Sequence, residues 1–349
     1  MAKEPPIRIK PERLREVVRD IFVAAGTSAE DAATVAHALV WANLRGIDSH
    51  GVSRVPRYLE LFESGESKPA AEMRMTRPRR GVLLLDADGA PGPVALSRAM
   101  REAISAAHET GIAWAGVRST VHTGAIGYYA GFAANAGMIG IGLVAGIPNM
   151  AYYGARSIGV ATSPIAIAIP AGHHAHMILD MATAVMALGR IQQFRAQNRP
   201  LPEGAAMTSE GEPTTDASRA NIPLPLGGAK GSGLSLAFEL LTSGLMSNPI
   251  VTEYHQKTPL GRRHRQNAAL IAIDISAFTE IEKFTRTVAA TIDTVKNLPR
   301  MTGTEEILYP GERSARVMVT REREGIPVSA EVWNSLKKGA EKYGLAISA

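Results

Sequence analysis

Histidine, arginine and lysine carry most of the chemistry available to this chain, because its 349 residues include no cysteine. Thiolate nucleophiles, disulfides and cysteine-ligated zinc are thereby excluded. The segment Asp48-Ser49-His50-Gly51-Val52-Ser53-Arg54 sets a histidine four residues before an arginine. Histidine suits proton transfer near neutral pH, and arginine offers a planar fork that grips a carboxylate through paired hydrogen bonds. A spacing of four puts both on one face if the segment is a helical turn. The same residues also read as a helix C-cap followed by a surface arginine.

A second histidine, His122, lies in Ser119-Thr120-Val121-His122-Thr123-Gly124-Ala125-Ile126-Gly127, just past an apolar run at 112–117. Open α/β sheets keep ligands past the C-terminal ends of their strands; alternatively His122 caps a helix over 128–136. Asp180-Met181-Ala182-Thr183 follows a loop holding His173, His174 and His176. Asp180 either caps a helix that follows it or orients a histidine. The three histidines raise the question of a metal, but the cluster sits in a glycine-containing loop, so no metal site is expected. Pro225-Leu226-Gly227-Gly228-Ala229-Lys230-Gly231-Ser232-Gly233-Leu234 opens a helix with glycines and one lysine. Its backbone N–H groups favour an anion such as pyrophosphate, although glycines equally permit tight packing. The turn Pro310-Gly311-Glu312-Arg313 says little by itself.

These residues need elements to hold them. Leu14, Val17, Val18, Ile21, Phe22 and Ala25 follow helical spacing up to Gly26. Ser28 then opens a second helix with Asp31 in a capping box, ending near Arg45-Gly46. Strands are expected at 82–85, 112–117, 138–144, 165–169 and 269–273, helices at 94–108, 234–246 and 329–343. Continuous apolar strands alternating with helices imply an α/β sheet covered by helices on both faces. The stretch 200–225, rich in Pro, Gly, Ser and Thr, is expected to be a surface excursion. Gly140-Ile141-Gly142 lacks a properly spaced third glycine and reads as strand interior, so a Rossmann dinucleotide loop is absent, as is a P-loop.

The formal net charge is +5, with 20% charged residues. Basic residues are interspersed with acids, and the dense clusters Pro78-Arg79-Arg80 and Arg262-Arg263-His264-Arg265 read as loops without interleaved aromatics. No nucleic-acid face is therefore expected; a basic cleft for small anions uses the charge better. Residues 1–10 mix charge with proline, so no signal peptide is expected there, and no apolar run approaches a membrane span. A cytoplasmic protein is expected.

In this order, the segments resemble the malate/L-lactate dehydrogenase family that lacks the Rossmann fold. The resemblance rests on Arg45-Gly46-Ile47-Asp48-Ser49-His50-Gly51 with Arg54, His122-Thr123-Gly124-Ala125-Ile126, Thr162-Ser163-Pro164, Asp180-Met181-Ala182-Thr183, Lys230-Gly231-Ser232-Gly233 and Pro310-Gly311-Glu312. It implies a mixed sheet flanked by helices in an NAD(P)-binding domain over 79–303. It also implies a helical substrate and dimer domain from 1–78 and 304–349, and a homodimer. NAD or NADP would lie against His122, Thr162, His176, Leu179, Asp180, Met181, Ala182, Lys230, Gly311, Glu312 and Arg313. Arg54 would bind the substrate carboxylate beside Ser49 and Thr162. Either His50 or His122 would transfer the proton, with Asp180 orienting a histidine. The chain departs from the family where Ala145-Gly146-Ile147 carries no acidic residue, which leaves both cofactors open. Two other readings stand beside this one: reduction of an imine carboxylate, and a non-catalytic binder. The second has no need of paired histidines beside an arginine.

Overall fold

The computed structural model describes residues 5–349, so the first four residues of the N-terminal segment 1–10 lie outside it. After the short strand β1 (Ile7–Ile9), helix α1 (Pro11–Ala24) starts with proline in its first turn, where the missing N–H costs nothing. Helix α2 (Ala29–Leu44) carries the expected cap: the Ser28 hydroxyl accepts from the Asp31 N–H at 3.1 Å and donates to its carboxylate at 3.0 Å. Helix α3 (Val55–Glu63) buries Val55, Tyr58, Leu59 and Leu61.

The remaining elements build the sheet and its cover. In chain order they are β2 (Arg74–Arg79), β3 (Val82–Asp86), α4 (Gly92–Thr110), β4 (Ile112–Thr120), α5 (Gly127–Asn135), β5 (Met138–Gly146), β6 (Met150–Ala151), β7 (Ile158–Val160), β8 (Ile165–Ile169) and β9 (Met177–Met181). Then come α6 (Leu188–Ala196), β10 (Ala206–Met207), β11 (Pro213–Thr214), β12 (Ile222–Pro223), α7 (Ala229–Glu239), α8 (Val251–His255), β13 (Gln266–Asp274), α9 (Ile281–Lys296), α10 (Glu312–Glu324), β14 (Ile326–Val328) and α11 (Ala330–Glu341). Seven strands pair in the order β2-β3-β4-β13-β5-β8-β9, and within this sheet only β3 and β4 run parallel.

Helices α4 and α5 bury one face of the sheet on Leu85, Val117, Val144 and Leu270. On the other face Phe238 of α7 packs with Leu143 and Ala269. Both faces are therefore apolar, which is why these strands read as continuous hydrophobic runs although most pairs are antiparallel. Gly140 lies so close under α5 that a Cβ there would come within 2.2 Å of the Ala130 carbonyl oxygen. The glycines of 140–142 thus serve packing and not a phosphate. At the edge of this core the two chain ends meet: β14 pairs antiparallel with β1, and Leu14, Ile21, Leu39, Tyr58, Trp333 and Leu336 share one apolar cluster.

Two expected elements differ. The helix expected over 234–246 begins at Ala229, and at Leu240–Gly244 it opens into a single π turn. Around that turn the buried Glu239 carboxylate accepts from the Ser243 hydroxyl and the Ile250 and Val251 N–H groups. Buried polar contacts of this kind leave no trace in an apolar pattern. The stretch 200–225 folds into a small antiparallel sheet, β11-β10-β12, with Leu201, Ala205, Ala206, Ala217 and Ala220 buried around Ile191. Strands of two residues are too short to show a period of two.

Candidate active site

The segment 48–54 is not an α-helical turn. It forms two 3-10 turns, Asp48–His50 and Val52–Arg54, joined at extended Gly51. Asn43, buried in the last turn of α2, holds them in place: its amide donates to the Asp48 carboxylate at 2.6 Å and accepts from the Val52 N–H at 2.8 Å. A Cβ at Gly51 would sit 2.1 Å from the Asn43 Oδ1, so a side chain there would displace this brace. Arg321 of α10 adds a bidentate pair to Asp48 at 2.7 and 3.1 Å. Replacing Asn43 with leucine leaves the buried Val52 N–H without its partner and Asp48 with Arg321 alone. The expected cost is roughly 2–4 kcal/mol, read as a lower denaturation midpoint; an unchanged midpoint would show that the brace is dispensable.

His50 and Arg54 nevertheless face the same space. The Arg54 Nε donates to the Ser49 carbonyl at 2.6 Å, and its two Nη groups find no partner among the described residues, so the fork is available for an anion. The His50 ring stacks on His122 with centroids 5.7 Å apart and planes 23° from parallel. His122 follows β4 by two residues, and the buried Tyr58 of α3 braces it. The Tyr58 hydroxyl donates to the His122 carbonyl at 3.0 Å and also lies 3.0 Å from its Nδ1. A phenol has one proton, so both contacts are satisfied only when Nδ1 carries hydrogen and donates to the Tyr58 oxygen. That leaves Nε2 of His122 as a free lone pair.

The electrostatics agree. Burial, then the nearby Arg54 charge, push His50 down to about 4. Burial, then His50 and Arg54, hold His122 well below the ordinary histidine range. Burial raises the Tyr58 phenol, which stays protonated. At neutral pH the cleft thus holds two neutral imidazoles beside one fixed cation.

Asp180 does not orient a histidine, and no helix follows it directly. It sits in edge strand β9 and accepts from the Gly127 N–H at 2.8 Å, capping α5 across the fold. Desolvation raises this carboxylate to about 6, against the pull of the Gly127 N–H and Arg45. His122 in turn caps no helix side-on; its ring is committed to Tyr58.

The segments expected to meet a dinucleotide do converge along β9. The Ile178 N–H donates to the Pro310 carbonyl at 3.0 Å, which lays the turn with Gly311 and exposed Arg313 on the strand. Leu179, Met181 and Ala182 are half-buried along it. At its far end the Leu226 N–H donates to the Thr183 carbonyl, bringing up exposed Lys230, and the Thr183 N–H donates to Thr162. His176 Nδ1 and Thr183 Oγ1, near the two ends of β9, are buried polar atoms without a partner. Such orphaned groups fit a polar ligand lying along the strand. Two details correct the sequence reading. The Gly228, Lys230 and Gly231 N–H groups are spent on the Pro225, Gly227 and Leu226 carbonyls, so these three are not offered to an anion, whereas the exposed Lys230 ammonium is. Glu312, expected against the cofactor, is buried in an ion-pair network with Lys296 and Arg316, each at 2.5 Å.

The chain matches the family model described as malate/L-lactate dehydrogenase over residues 9–337. It belongs to that family. It is 34% identical over 341 residues to L-sulfolactate dehydrogenase of Methanocaldococcus jannaschii, covering 97% of this chain and 98% of that relative. It is 35% identical over 349 residues to malate dehydrogenase of Pyrococcus abyssi, covering 97% and 96%. A solved structure, sulfolactate dehydrogenase from Methanocaldococcus jannaschii, superposes with a TM-score of 0.89 at 33% identity, covering 97% of this chain and 98% of that one. As a member of the malate/L-lactate dehydrogenase family the chain is an oxidoreductase of the 2-hydroxy acid dehydrogenase kind, on the family's non-Rossmann sheet. No helix among the described residues is long and apolar enough to cross a membrane.

Three contributors escaped the sequence reading. They are Tyr58, Asn43 and His264, of which only His264 falls in a segment singled out by the sequence, the basic cluster 262–265. In the structure Arg265 is buried against Asn248 and the Pro249 carbonyl, and the Nε2 of His264 is buried without a partner. A histidine inside a basic cluster was the only available signal.

Proposed function

We propose that this protein transfers a hydride between nicotinamide C4 of NAD or NADP and C2 of a small 2-hydroxy or 2-oxo acid, with His122 exchanging the substrate proton and Arg54 holding the carboxylate. The tautomer of His122 carries this reading: Tyr58 keeps the proton on Nδ1 and leaves Nε2 to accept one. The bound cofactor supplies the hydride acceptor for oxidation and the donor for reduction. Its holders are β9 with the orphaned atoms of His176 and Thr183, the Lys230 ammonium, and the turn at Gly311.

Arg54 fixes the substrate carboxylate, so C2 and its oxygen stand at a set distance from the histidine pair. In oxidation, Nε2 of neutral His122 removes the hydroxyl proton as C2 loses hydride. In reduction the protonated ring returns it to the forming alkoxide. His50, stacked on His122 and held by Ser49 Oγ at 3.0 Å from its Nδ1, lines the pocket and keeps the second imidazole from charging. The bound carboxylate offsets the Arg54 charge and lets one ring take up the proton.

The decisive test is oxidation of NADH and NADPH with a panel of 2-oxo acids, with cyclic imine carboxylates as a parallel arm. Turnover with imines alone would move the chemistry to C=N reduction on the same clamp. Consumption of neither cofactor, together with no rise in melting temperature from either, would sink the proposal.

We further place a homodimer contact on α7 and its π turn. Leu234, Leu240, Leu241 and Leu245 are 42%, 60%, 40% and 63% exposed there. Exposed leucines concentrated in this way mark an interface, and they lie on this helix rather than on the terminal helices. Light scattering is expected to give twice the chain mass of 37.1 kDa for the parent and the single mass for Leu240→Glu combined with Leu245→Glu. A dimeric double variant would place the contact elsewhere.

A further inference from the structure

The loop between β8 and β9 presses against α9. A Cβ at Gly172 would come within 3.1 Å of the Thr285 carbonyl oxygen, and Gly172 adopts a φ of +61°. This approach sets the next two residues over the last turns of α9. The His174 Nε2 lies 2.8 Å from one Asp293 oxygen and the His173 Nε2 lies 3.8 Å from the other. The two rings stand 4.1 Å apart. One ligand atom from each of the three residues falls within 4.8 Å of the others. Among the described residues the His174 ring has no other hydrogen-bond partner and the His173 ring has none. His174 is largely covered, with 19% of its side chain exposed, whereas His173 is 67% exposed, so the cluster opens to water on one side.

We propose that His173, His174 and Asp293 form a surface site for a borderline divalent cation such as Zn²⁺. Two imidazoles and a carboxylate are the donors such ions prefer over Mg²⁺ or Ca²⁺. Three protein ligands leave a fourth position for water. The ion takes the place of the proton shared between His174 and Asp293, so protons compete with it and affinity falls with acid. Neither the sequence spacing nor the hydride-transfer reading anticipates this site, since Asp293 is 119 residues from His174.

Its position gives it an effect. The His174 ring faces Tyr309 with centroids 5.7 Å apart, and the Tyr309 hydroxyl donates to the Ala175 carbonyl at 3.0 Å. An ion there ties α9 to the loop that leads directly into β9, clamping one end of that strand.

The test uses tag-free protein stripped with a chelator and titrated calorimetrically with ZnCl₂, in parallel with His174→Ala and Asp293→Asn. The parent is expected to bind one Zn²⁺ per chain, at least tenfold more tightly than either variant. Saturating Zn²⁺ should raise the parent's melting temperature by roughly 2–4 °C and leave the variants unmoved. Circular dichroism of the variants without metal establishes that they are folded, and Asp293→Asn keeps the shape of the site should the alanine variant not fold. Absence of saturable binding overturns the proposal. So does binding that survives in both folded variants, including Zn²⁺ captured by the His50–His122 pair.

Discussion

His122→Ala is expected to lower kcat for hydroxy-acid oxidation by about 10²–10⁴-fold while leaving cofactor affinity nearly unchanged. The ring is the one group in the cleft whose partners settle its protonation: Tyr58 donates to the backbone carbonyl and receives the Nδ1 proton. Removing it removes the proton acceptor, but neither the carboxylate clamp nor the cofactor strand. The pH profile carries the sign. A general base works when deprotonated, so kcat/KM for oxidation falls as pH drops through the free-enzyme pKa. Burial first, then the proximity of His50 and Arg54, moves that pKa well below 6.5. The acid limb should therefore lie below the ordinary histidine range and vanish in the alanine variant. Tyr58→Phe should cost less, because it releases the tautomer without deleting the base. If His50→Ala abolishes turnover while His122→Ala keeps more than about a tenth of it, the proton role belongs to His50.

Arg54→Ala is expected to lower kcat/KM for carboxylate substrates by about 10²–10³-fold, a loss of about 3–4 kcal/mol. Its Nε is spent on the Ser49 carbonyl at 2.6 Å, which aims the remaining fork into the cleft. Arg54→Lys should restore little, since a point charge cannot reproduce paired, coplanar donors. The rise should fall mainly on KM, with cofactor binding intact by fluorescence titration. Loss of cofactor binding would place Arg54 at the other end of the complex.

Much of the architecture was readable from local pattern. The capping box at Ser28 and Asp31, the strand at 165–169 and the helix stopped by Gly344 follow from side-chain periodicity and backbone sterics over a few residues, and the structure reproduces them. The ordered segments around His50, His122, Asp180 and Lys230 were equally visible, as was the lack of a Rossmann loop. The geometry among them was not. Helical spacing was the wrong reason for His50 and Arg54 to share a face; Asn43 forces two 3-10 turns there instead.

Sequence alone determined the inventory: no thiol chemistry, two candidate proton carriers, one candidate carboxylate clamp, a lysine at a helix start, and a family-wide order of segments. Tertiary structure alone decided the partners. Tyr58 meets His122 across 64 residues, Asp180 caps Gly127 across 53, and Asp293 reaches His174 across 119. Spacing rules extend over a helical turn or a hairpin, whereas these contacts form only when apolar faces far apart in the chain are buried against one another. Those contacts give His122 its free Nε2, take Asp180 away from the histidines, and supply the carboxylate that the loop histidines lacked.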